Sequence, residues 1–106
     1  MTPQEQQIAL CKWAGYSFCR SEQSGGVEQW HHSGKPVNAL PNTNSLDVIK
    51  SFEGRIWNDE CLVEKYQEQL QSVYVKAVGY QGAGYWFMAG AAIRREALLR
   101  AVDLWT

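Results

Sequence analysis

The alternation of apolar and polar positions divides the chain into four helical and four strand-like stretches. Thr2-Pro3-Gln4-Glu5 has the form of a capping box with proline at the first helical position, and it predicts a helix from about Pro3 to Ala14 that Gly15 ends. Tyr16-Ser17-Phe18-Cys19-Arg20 has strand composition, Ser21 to Gly26 is turn-forming, and Val27 to His32 reads as a second strand, so this region predicts a hairpin. Ser33 to Asn44 holds Gly34, Pro36, Pro41 and three asparagines, which predict a loop.

From Ser45, the residues Leu46, Ile49, Phe52, Glu53 and Ile56 return on or near one side of a helix that runs to about Trp57. Asn58 and Asp59 are caps for a further helix carrying Leu62, Tyr66 and Leu70 at four-residue intervals. Val73-Tyr74-Val75-Lys76-Ala77-Val78 then reads as a strand, Gly79 to Gly84 as a glycine-rich turn, and Tyr85-Trp86-Phe87-Met88 as a fourth strand. A last helix is predicted from about Gly90 to Leu104. The order α-β-β-α-α-β-β-α predicts one α+β domain over residues 1–106, a small antiparallel sheet of about four strands with helices packed on it.

The chain has 106 residues, enough for one core. Its 45% hydrophobic and 20% charged residues are ordinary for a globular protein, and no apolar run approaches the roughly 20 residues that span a bilayer. Met1 to Glu5 carry neither the positive flank nor the apolar stretch of a signal peptide, which predicts a cytoplasmic location. Cys11, Cys19 and Cys61 are odd in number and form no C-x-x-C pattern; they read as small buried hydrophobes rather than a disulfide framework or zinc knuckle. A net charge of −1 gives no broad footprint for duplex nucleic acid. Five tryptophans and five tyrosines are the unusual feature, since large rings fill cores, stack on bases and anchor partners alike.

Three stretches resemble, in order, the phage ABA sandwich domain family of small bacteriophage and prophage proteins. "ALCKWAGYSFC" is similar to its opening helix and aromatic strand, "LPNTNSLDVIKSFE" to its Leu-Pro-Asn loop and following helix, and "AGAAIRREALLRAVDLW" to its Ala- and Arg-rich closing helix. The resemblance implies a layered α/β fold, a phage or mobile-element origin and the cytoplasm of a host cell. It carries over no catalytic residues. The first strand and the second half of the Leu-Pro-Asn region depart from the pattern.

The closing helix poses the main chemical question. Arg94 sits about 100° around from Ile93, inside the apolar sector, whereas Arg95, Glu96, Arg100 and Asp103 fall largely outside it as solvated residues. An arginine on a buried helix side needs an anion. Either an internal acid such as Asp47 or Glu53 supplies it, or Arg94, Arg95 and the free amides of Gly90 and Ala91 form an anion pocket walled by Tyr85, Trp86 or Trp30.

The Gly79–Gly84 segment is a plain hairpin turn or a phosphate cradle, but lacks the Walker and Rossmann patterns. In Trp30-His31-His32, alternation sends Trp30 and His32 to one face and His31 to the other, a poor disposition for a shared metal but a workable one for a ligand contact by His32. No spacing identifies a nucleophile and base. The residues therefore predict a non-catalytic protein with no metal or cofactor, which binds and sequesters a small anionic nucleotide-like ligand and forms a homo-oligomer. The alternatives are a module that inhibits a host protein through exposed aromatic residues, and a small nucleotide-acting enzyme.

Overall fold

A computed structural model describes residues 1–20, 26, 28–79 and 89–106 of the chain. Helix α1 (Pro3–Trp13) begins at the expected capping box: Glu5 N donates to Thr2 Oγ1 at 3.1 Å while Thr2 N donates to Glu5 Oε1 at 3.3 Å. Thr2→Ala removes the first of these bonds, with an expected loss of about 1 kcal/mol in folding free energy, read from the urea midpoint. Strands β1 (Tyr16–Arg20) and β2 (Glu28–His32) pair antiparallel, with Tyr16 opposite His32 and Phe18 opposite Trp30. The turn proposed between them lies, but for Gly26, outside the described residues.

The region expected to be a loop adds a short strand, β3 (Lys35–Pro36), antiparallel to β2. Ser33 and Gly34 have φ of 55° and 77°, so both central residues of this two-residue turn occupy the left-handed region that the twist of a tight hairpin favours. Pro36 hid this strand from the sequence pattern, because proline is tolerated only at a sheet edge, and β3 is one.

Helix α2 (Leu46–Glu53) stops at Gly54, before the expected Trp57, and a turn carries the chain to α3 (Glu60–Val78). Asp59 caps α3 as anticipated, accepting from Leu62 N at 3.2 Å. The segment 73–78 is not a strand but the last part of α3. Its β-branched composition is overridden because the period of Tyr66 and Leu70 continues through Val73 and Tyr74, all buried on one side. Gly79, at φ 75°, ends the helix in the left-handed conformation. The proposed fourth strand, residues 85–88, lies outside the described residues, and among those the sheet has three strands in the order β1-β2-β3.

The last helix, α4 (Ala91–Ala101), closes with Asp103 at φ 61° and Leu104 N donating to Leu99 O at 2.8 Å, a Schellman-type ending. Mixed α and β elements match expectation, but their packing differs. Leu10 and Cys11 of α1, Ile49 and Phe52 of α2, Tyr66, Leu70 and Tyr74 of α3, and Ala97, Leu98 and Leu99 of α4 form the core, with Ile56 from the turn after α2. Among the described residues no strand contributes a buried apolar side chain. The helices pack on α4, and the sheet meets them mainly through α1. The principal extents are 52 × 27 × 24 Å.

Candidate functional site

The central position of α4 decides the fate of its arginines. With α1, α2 and α3 all packed against it, α4 buries Arg94, Arg95, Ala97, Leu98, Leu99 and Ala101, so polar side chains on it must find partners inside. Arg94 Nη1 donates to both oxygens of Glu53, at 3.0 and 3.1 Å, and Arg94 Nε donates to Ala89 O at 3.0 Å. The anion required at Arg94 is therefore supplied by an internal acid, Glu53. Tyr66, also buried, faces this pair; burial first, and then the Glu53 charge, hold its phenol in the neutral form far above the usual range.

Arg95 is not solvated. It is 4% exposed, and it donates from Nε to Gln6 Oε1 at 2.7 Å and from Nη1 to Asn44 Oδ1 at 2.6 Å and Thr43 O at 3.1 Å. The sequence wheel assumed one apolar and one wet face, whereas α4 has neighbours around most of its circumference. Among the described residues no carboxylate pairs with Arg95, and burial lowers its pKa from the usual arginine value.

The other expected site residues are not brought to Arg94. Gly90 is the exposed N-cap of α4, with no side-chain capping bond, and Ala91 packs against the core. Trp30 and His32 share a face of β2, as alternation required, but Trp30 packs against Phe18 at 5.3 Å and His32 stacks on Tyr16 at 4.2 Å; β2 has no substantial contact with α4. Tyr85 and Trp86 lie outside the described residues, as does most of the 79–84 turn. Among the described residues no three His, Cys, Asp or Glu side chains gather to hold a metal, and no helix is long and apolar enough to cross a membrane.

A different set of residues surrounds the Arg94–Glu53 pair. Lys50 and Glu53 stand three residues apart on α2, a spacing that puts side chains on one face, and Trp57 comes from the turn that follows the helix. With Arg94 they line a cleft of about 320 Å³. Trp57 is 54% exposed, while the edge-on ring of Tyr66, 6.5 Å away, supports it from within. Lys50 is exposed and has no ion-pair partner among the described residues. The cleft thus combines an exposed indole, an exposed ammonium and a buried ion pair. The sequence carries only part of this site, the three-residue spacing of Lys50 and Glu53; Trp57 and Arg94 join them through the turn after α2 and the packing of α4.

A larger groove of about 580 Å³ along α1 is lined by Met1, Ile8, Trp13 and Leu104, with Glu5 and Lys12 among its few polar groups. It is apolar and open, and it lacks convergent polar groups that would orient a small ligand. Among known proteins the chain matches no family, no curated protein and no solved structure.

Proposed function

We propose that the chain is a non-catalytic binding protein that takes a small anionic ligand with a flat ring, of the nucleotide type, in the cleft beside α2. The observation that carries this reading is that the exposed Trp57 ring and Lys50, which has no ion-pair partner among the described residues, line the same cleft. A base stacks on the indole, which tolerates any π-face, and a phosphate meets Lys50. Arg94 and Glu53 form the fixed floor: Glu53 holds the guanidinium in place, and its carboxylate oxygens are acceptors for an exocyclic amine. A cleft of about 320 Å³ is at the small end of ligand sites, which favours a ligand that leaves part of itself in solvent. In a phage-type accessory protein, the origin that the resemblance implies, binding alone would suffice to withdraw a host nucleotide signal, because a sequestering protein acts by copy number and needs no turnover.

The test is tryptophan fluorescence titration of the full chain with mono- and cyclic nucleotides. Binding that weakens about tenfold or more in Trp57→Ala, and also weakens in Lys50→Ala with unchanged urea midpoints, is the expected result. Nucleotide affinities equal to wild type in both variants would remove the cleft from consideration.

A second reading has its own observation. Phe18, 52% exposed on β1, packs against Trp30 to make an aromatic surface on the hairpin. Such a surface suits a protein partner better than a small anion. Stoichiometric capture of one host protein that is lost in Phe18→Ser, with no nucleotide response, would favour this second reading.

A further inference from the structure

The three cysteines occupy three environments, and the expectation that all are buried holds only for Cys11. Cys11 is fully buried in the core, and burial pushes its thiol up to about 11. Cys61 is exposed near the start of α3, preceded by the acids Asp59 and Glu60. Cys19 is also exposed, but it has a histidine at hand.

The strand register makes this pair. Alternation along the antiparallel strands puts Ser17, Cys19, Gln29 and His31 on the face opposite Phe18 and Trp30, and with Cys19 opposite Gln29 and Ser17 opposite His31, Cys19 and His31 are diagonal neighbours. Cys19 Sγ lies 3.2 Å from His31 Nδ1. The imidazole is 5% exposed, and its Nδ1 also lies 3.0 Å from Gln29 O. A carbonyl can only accept, so the neutral ring carries its hydrogen on Nδ1, where it is shared between Gln29 O and the sulfur. His31 Nε2 is buried with no hydrogen-bond partner among the described residues, so the Nδ1 side supplies the polar contacts that orient the ring.

We propose that Cys19 is a nucleophilic thiol site for small disulfides, with His31 as its positioning residue. An N–H aimed at sulfur interacts most strongly with the thiolate, which is the attacking species, and Cys19 is an exposed residue, open to a reagent from solvent. The thiol proton leaves to water, and the thiolate attacks one sulfur of the disulfide. The disulfide bond breaks as the mixed disulfide on Cys19 forms, and the departing thiolate takes a proton from water. The site is on the sheet and its chemistry does not depend on the Lys50–Trp57 cleft.

The experiment treats the native chain with bis(2-hydroxyethyl) disulfide, an uncharged probe, and follows each cysteine by peptide mass spectrometry at neutral pH. Cys19 is expected to form the mixed disulfide about tenfold faster than Cys61, with Cys11 unreacted until the chain unfolds. His31→Leu, which removes the donor, brings Cys19 down toward the Cys61 rate, while His31→Asn, which keeps an N–H in the region of Nδ1, restores much of the difference. The unchanged Cys61 rate and Cys11 protection in each variant report that the fold is kept. Equal rates for Cys19 and Cys61 in the wild-type chain would overturn the proposal without reliance on any variant.

Discussion

Replacing Arg94 with alanine is expected to cost about 3–5 kcal/mol of folding free energy, measured by urea denaturation, because it leaves the Glu53 carboxylate buried without its partner. Glu53 is 3% exposed, and Arg94 donates a charge-assisted bond to each of its carboxylate oxygens. Arg94→Lys recovers only part of the loss: an ammonium can approach one carboxylate oxygen, but it lacks the second nitrogen that reaches Ala89 O at the same time. The decisive comparison is the double variant Arg94→Leu/Glu53→Leu. Removing both charges and filling the space with apolar groups should restore most of the stability that either single change loses, since the penalty comes from an uncompensated charge rather than from the absence of the pair. A single Arg94→Ala change with no shift in midpoint would mean that the cleft floor is not held by this pair, and the rigid support assigned to the ligand cleft would fall with it.

Arg95→Leu should cost about 3 kcal/mol, by a different route. Arg95 joins three parts of the chain, α4 itself, Gln6 of α1 and the Thr43–Asn44 turn ahead of α2, through hydrogen bonds from one planar head. Gln6 and Thr43 are 8% and 2% exposed, so without the guanidinium their oxygens stay inside and unbonded. Arg95→Lys supplies charge without the fork and is expected to recover less than half of the loss. Hydrogen exchange gives the spatial readout: the first turn of α1 and the amides around 43–45 should lose protection before the α3–α4 contact does. A surface-like response, with a midpoint within about 0.5 kcal/mol of wild type, would contradict the burial of Arg95.

These two arginines are adjacent in the sequence yet differ in what could be read from it. Arg94 fell within the apolar arc of its helix, and the need for an anion there, with Glu53 among the candidates, followed from the cost of burying a charge. Arg95 fell on the polar arc, and only the packing of α1 and the 43–44 turn against that arc makes it a buried residue. A helical wheel assigns faces relative to the helix axis. It does not say how many faces the rest of the chain will cover.

The same division holds through the molecule. Local chemistry that acts within a few residues was legible: the Thr2–Glu5 capping box, the Asp59 cap, the β1–β2 hairpin, and the alternation that separates Trp30 and His32 from His31. Residues 73–78 have strand-like composition yet form helix, because β-branched composition is a weak local preference, while the apolar period of α3 gains its energy from contact with α4. Lys50 and Glu53 share a side of α2 by helical spacing, but Trp57 reaches the cleft from the turn after the helix, and Arg94 joins them, 41 residues beyond Glu53, only through the packing of α4 against α2. Cys19 and His31 depend likewise on a strand register that no single strand contains. The sequence by itself determined where helices start and which side chains alternate, because hydrogen bonds and sterics of neighbouring residues suffice for that. Which charges are buried, and which reactive groups meet, was decided by tertiary structure, because both are set by contacts between segments far apart in the chain.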